Sequence, residues 1–81
     1  MIVIEVFPER HGWGVRLEGD AILARFQSRD QAERRARWLA VRQTVRDGDA
    51  EVRLLDGNGA IVGRWIDEGY LETRRIEQRA A

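Results

Sequence analysis

The sequence predicts an α+β domain in the order β-β-β-α-β-β, with antiparallel hairpins and one helix packed on one face of the sheet. Three observations carry that expectation. Strand-forming apolar residues concentrate before residue 27 and after residue 49, with a period of two from Trp13 to Glu18. Turn chemistry at Gly19-Asp20 and at Asp56-Gly57-Asn58-Gly59 divides those stretches into paired strands. Between them, Ser28 to Gly48 has a helical period with a start signal and a stop signal.

Ile2 to Phe7 reads as the first strand, ended by Pro8, which has no N–H to give to a ladder. Trp13 to Glu18 alternates and makes the second strand, and Ala21 to Gln27 makes the third. Closing this hairpin on Gly19-Asp20 places Leu17 opposite Ile22, Val15 opposite Ala24 and Trp13 opposite Phe26. Those six then share one face, with Arg16, Leu23 and Arg25 on the other.

Ser28 is suited to cap the helix, because its hydroxyl accepts from N–H groups that the first turn leaves unpaired. Gln31, three residues on, has capping-box spacing. Asp30 and Glu33 lie near the positive end of the helix dipole, and Arg42 and Arg46 near the negative end. Gly48 suits the left-handed residue just past the last turn. Ala32, Ala36, Leu39, Ala40 and Gln43 fall on one side, and three alanines there let the helix lie close to a sheet.

Ala50 to Leu55 and Ala60 to Ile66 form the second hairpin. A turn on Asn58-Gly59 sets Arg53 opposite Arg64, an unfavourable pairing of like charges. A turn on Gly57-Asn58 instead pairs Leu54 with Ile61, Val52 with Gly63 and Glu51 with Arg64, and is the expected register. Val52, Leu54, Ile61 and Trp65 then face the helix, while Arg53, Val62 and Arg64 face outward. Residues 1–66 are expected to form the domain, and 67–81 a polar tail, either a short helix or a mobile terminus.

At 81 residues the chain supports one domain, burying about 60–65% of its unfolded surface. Apolar residues at 43% and charged residues at 35% fit a folded soluble domain. No apolar run approaches the roughly 20 residues of a membrane span. Met1 to Val6 lacks the basic region of a signal peptide, so a cytoplasmic protein is expected. There is no cysteine, hence no disulfide or thiolate chemistry. Net charge is zero, which gives no global pull toward nucleic acid or anionic membrane. The basic residues are all arginine, and six of them lie between residues 28 and 48 against three acids.

No enzyme is expected, and no catalytic, cofactor-binding or metal-binding residue is assigned. His11 is the only histidine and Ser28, the only serine, is committed to capping, so a nucleophile and its base have no second position. Glu18 with Asp20 and Asp67 with Glu68 are carboxylate pairs at turns or strand ends, where acids are ordinarily solvated. No His, Cys and carboxylate cluster has metal-ligand spacing.

Two surfaces carry the functional expectation. Trp38, Val41 and Val45 recur on the side of the helix away from Ala32 and Ala36. An apolar stripe with a tryptophan, on a helix that already has a buried face, points to a partner, and a second copy of the chain is the commonest one. The expectation is therefore a non-enzymatic, homodimeric interaction module joined through Trp38, Val41 and Val45 or through exchanged hairpins. The alternative is a nucleic-acid binder that uses Arg16, Arg25, Arg53 and Arg64 on the outer sheet face, a face that Glu5 and Glu51 also share.

Val6-Phe7-Pro8, Gly12-Trp13-Gly14-Val15, Glu18-Gly19, Phe26, the Ala32/Ala36/Ala40 ladder and Asp56-Gly57-Asn58-Gly59-Ala60-Ile61 together resemble a family of small bacterial proteins known as domain of unknown function 2188. The resemblance covers roughly residues 3–66 and implies a fold without an activity. Residues 13–40 also look like the three-stranded-sheet-plus-helix DNA-binding domain of some tyrosine recombinases, which would make Arg16 and Arg25 base or phosphate readers. The extra first strand, the second hairpin and the zero net charge count against that second likeness.

Overall fold

Six strands and one helix build the chain in the order β1 (Ile2–Glu9), β2 (Gly12–Leu17), β3 (Ile22–Phe26), α1 (Arg29–Asp47), β4 (Ala50–Leu55), β5 (Ile61–Ile66) and β6 (Gly69–Leu71). The structure, a computed structural model, describes the backbone of residues 2–47, 49–66 and 69–71 and the side chains of 2–43 and 49–65. The expected β-β-β-α-β-β order holds, and β6 adds a short strand in what the sequence reads as tail. The expected Gly48 cap and residues 72–81 lie outside the described residues.

All six strands form a single sheet, ordered β3-β2-β1-β4-β5-β6. Its centre is the parallel pair β1–β4, from Ile2 beside Ala50 to Val6 beside Leu54. The near-continuous apolar run of β1 suits a strand with neighbours on both sides and side chains covered on both faces. Val3, on the outer face, is accordingly buried along with Ile4 and Val6. This pairing docks the second hairpin onto the first within one chain, so hairpin exchange is not needed to complete the sheet.

Ser28 caps α1 as expected: Gln31 N donates to its Oγ at 3.2 Å and Ala32 N to its carbonyl at 3.2 Å. Ala32 and Ala36 are fully buried against the sheet and share the core with Ile4, Val6, Val15, Val52 and Leu54. Trp13, Leu17, Phe26, Leu39, Ala40, Val62 and Trp65 close its rim. At the centre of the contact Ala32 and Ala36 present only methyl groups, so the helix can lie close to the sheet while the larger side chains of the rim pack around them.

Both hairpin registers depart from expectation, the first by one residue next to the turn and the second by two residues along the strands. In the first, Trp13–Phe26 and Val15–Ala24 pair as expected, but Arg16, not Leu17, faces the neighbourhood of Ile22, and Leu23 is the extra residue of a bulge. The cause is the turn. It spans Leu17 to Asp20, closed by Asp20 N donating to Leu17 O at 2.9 Å, with Gly19 at φ +82°. A positive φ at the third position is the type II geometry, whose twist does not match the flanking strands; the bulge absorbs the difference.

In the second hairpin the disfavoured pairing is the real one. Arg53 stands opposite Arg64, Leu54 opposite Gly63 and Val52 opposite Trp65. The Asp56 carboxylate selects the loop: its Oδ1 accepts from Asn58 N and Ala60 N, each at 2.9 Å. Gly59, at φ +84°, donates to Asp56 O, and Asp56 N donates to Ala60 O. That makes a three-residue loop, Gly57 to Gly59, with glycine at its left-handed position. A further bulge at Val62 then turns Val62 onto the core and leaves Ile61 exposed, the reverse of the expected faces.

Candidate interaction surfaces

α1 packs across β1 to β4 on one face of the sheet, so the opposite face and the outer side of α1 are the two surfaces to compare. On the sheet's outer face, alternation brings Glu5, Phe7 and Glu9 of β1, Arg16 of β2, Arg25 of β3, Glu51 and Arg53 of β4 and Arg64 of β5 to one side. Arg16 Nε donates to Glu5 Oε1 at 2.7 Å, and its guanidinium lies 4.5 Å from the centroid of the Phe7 ring. Arg25 Nε meets Glu9 Oε2 at 3.0 Å. Arg53 pairs with Glu51 through Nε and with Glu18 Oε2 through Nη1 at 3.1 Å. Arg64 Nη1 lies 3.8 Å from Glu51 Oε1.

These contacts join the four arginines assigned to nucleic acid, Arg16, Arg25, Arg53 and Arg64, to four glutamates. Glu51 is only 8% exposed and serves two of the arginines. The hydrogen bond from Arg53 to Glu51 is the main reason its guanidinium is held above the ordinary arginine value, against a smaller opposing effect of burial. The set as a whole is neutral and each cation already has its anion. A polyanion would have to displace those carboxylates, which removes the counterion-release advantage that drives phosphate binding. The six-stranded sheet with β1 at its centre also departs from the three-stranded recombinase likeness.

Two glycines shape the same region. Gly14 is the register partner of Phe7, and a Cβ on it would come within 2.5 Å of the ring's Cζ, so Phe7 lies across the bare backbone of β2. A Cβ on Gly12, at φ +155°, would stand 2.3 Å from the carbonyl oxygen of Phe26. Exposed His11 borders a hollow of about 190 Å³ with Glu9, Trp13, Arg25 and Phe26. Among the described residues no three His, Asp or Glu side chains stand close enough to hold a metal ion.

The outer side of α1 is built differently. Trp38 is 48% exposed and Val41 64% exposed, one turn apart, on the side away from Ala32 and Ala36. The side chain of Val45 lies outside the described residues. Arg35 and Arg42, at i−3 and i+4, place their guanidinium carbons 5.2 and 4.7 Å from the Trp38 ring centroid. Arg37 lies 4.1 Å over the ring of Trp65. Such contacts are worth about 0.5–1 kcal/mol each at an exposed site. Asp30 pairs with Arg34 and Glu33 with Arg29, both at 3.1 Å. Arg35, Arg37 and Arg42 have no carboxylate partner among the described residues. Beside Trp38 an open hollow of about 420 Å³ is lined by Phe26, Gln31, Arg34 and Arg35.

Trp38 and Val41 were therefore visible in the sequence as a candidate surface. The arginines that stack on Trp38 were not read as part of it, although their spacing, three residues before and four after, is the signal that a helix puts them beside the ring.

Residues 4–66 match the model of a family described as "Uncharacterized protein conserved in bacteria (DUF2188)", and the chain belongs to that family. No curated protein and no solved structure matches the chain. No helix among the described residues is long and apolar enough to cross a membrane.

Proposed function

We propose that the protein is a non-enzymatic interaction module that docks through the outer side of α1. The observation that carries this reading is the half-exposed Trp38 beside the exposed Val41, on a helix whose opposite side is already committed to the core. A tryptophan flanked by arginines has the composition of an interface centre, where Trp and Arg are enriched. The outer sheet face, by contrast, has satisfied its charges internally.

A second copy of the chain is the simplest partner and the one the sequence favours. A twofold contact uses the same patch on both subunits, so it sets Arg35 and Arg42 of one copy near the same residues of the other. Self-association through α1 is thus opposed by like charge and should strengthen as salt rises. A photoreactive side chain placed at Val41 tests the docking face in cells, with one at exposed Asp20 as control. The reading expects adducts at 41 and none at 20. Adducts at 20 alone would place the docking surface elsewhere and sink it.

A further inference from the structure

Resting on the docking face just proposed, we infer that its partner is an acidic segment of another protein, in which carboxylates flank an apolar side chain. The inference comes from a contrast within one molecule. Arg16, Arg25, Arg53 and Arg64 on the sheet each have a glutamate. Among the described residues, Arg35, Arg37 and Arg42 on α1 have aromatic rings in place of carboxylates. A guanidinium held over a ring still presents its N–H donors at its own edge, where a carboxylate can take them two at a time. The ring contact also restricts the arginine beforehand, so less side-chain entropy is lost when the partner arrives.

The apolar part of the surface narrows the choice. Phosphates would satisfy the arginines but leave Val41 without cover, whereas a peptide side chain can lie against Val41 and Trp38 while its neighbours meet the guanidinium groups. The hollow beside Trp38, about 420 Å³, lies within the range of ligand pockets, about 300–1,000 Å³, and is open enough to take such a side chain. The chain's own last ten residues do not complement the face. They carry Arg74, Arg75 and Arg79 against Glu72 and Glu77, and so offer no excess of acid. A second copy brings like charge, as above.

A display library of random twelve-residue peptides, selected on the immobilised full chain, tests this, followed by titrations read at the backbone amides of α1. Selected peptides should carry an excess of Asp and Glu interspersed with Leu, Phe or Trp, and their affinity should fall as salt rises. The Arg35→Glu/Arg42→Glu double variant should lose about tenfold or more in affinity, and a peptide with its acids changed to Lys should regain binding to that variant. Trp38→Ala should cost about tenfold through lost apolar cover. Selected peptides without excess acid, or no enrichment at all, would overturn the inference. A mixed-sequence DNA duplex that shifts the α1 amides when the peptides do not would assign the face to nucleic acid. A mass that rises with protein concentration alone, lost in Trp38→Ala, would assign it to a second copy. In those two cases the docking face stands and its acidic partner falls; no response at α1 to peptide, duplex or concentration removes both.

Discussion

Arg53 stands directly opposite Arg64 across β4 and β5. Two like charges in that position repel, and the arrangement holds because Glu51, two residues before Arg53 and on the same face, reaches both. Glu51→Gln should therefore destabilise the domain by about 1–3 kcal/mol, the range for removing a charged hydrogen-bond partner, measured by urea unfolding. In wild type Arg64→Gln should be nearly neutral, while in the Glu51→Gln background it should recover part of the loss by removing the unpaired repulsion. A double-mutant cycle with no coupling would show that Glu51 does not mediate between the two arginines.

The pH dependence of that cluster follows from the sign of the Arg53 shift. Its guanidinium is held above the ordinary value, chiefly by the hydrogen bond to Glu51. A group whose folded value is raised contributes its full stabilisation below the unfolded value and loses it only as pH climbs through the folded one. Arginine's ordinary value is already far above neutrality. Unfolding free energy measured from neutral into moderately alkaline pH should thus show no loss that Arg53→Gln abolishes.

Gly12 and Gly14 lie two residues apart but should respond differently to alanine. At Gly12 the new methyl meets a backbone carbonyl at 2.3 Å, and the φ of +155° is itself strained for an L residue. Neither can yield cheaply, so Gly12→Ala should cost about 2–4 kcal/mol. At Gly14 the obstacle is the far end of the Phe7 ring. That ring can swing away, losing its contact with Arg16, so Gly14→Ala should cost about 1 kcal/mol. Denaturant midpoints of the two variants give the ranking directly, and the opposite order would mean that Phe7 is held more firmly than the hairpin backbone.

How far the sequence specifies this molecule varies with the range of the interaction. Local signals read cleanly: the Ser28 cap and the Ala32/Ala36 face appear as written, because both depend on residues within one or two turns of helix. The β1–β4 pair was not legible, since it joins strands more than forty residues apart and nothing in either strand names its neighbour. The bulges were missed for a subtler reason. Asp56 selects its loop with its own carboxylate, a choice stronger than the Arg53–Arg64 repulsion that argued for the other register. The alanine face gives its own test. Ala36→Leu, which puts three extra carbons into a contact with no free surface, should cost about 1–3 kcal/mol. A neutral result would mean that α1 can lift from the sheet.

Arg16 and Arg25 both project from the outer sheet face, yet only one of them is built into it. The Arg16 side chain is 35% exposed, bonded to a nearly buried Glu5 and laid over Phe7. Arg25 is 69% exposed and has a single ion pair. Arg16→Ala should cost about 1–2 kcal/mol, because it leaves the Glu5 carboxylate unpartnered and uncovers an aromatic ring. Arg25→Ala should stay within about 0.5 kcal/mol, the range of exposed ion pairs. Neither should alter retention on a mixed-sequence DNA duplex or its salt dependence, since both guanidinium charges are already spent on glutamates. If Arg25→Ala instead reduced the salt slope while leaving stability untouched, the outer face would be a phosphate-contacting surface. Its glutamates would then be acting as a gate that phosphate displaces, and α1 would lose its place as the primary docking face.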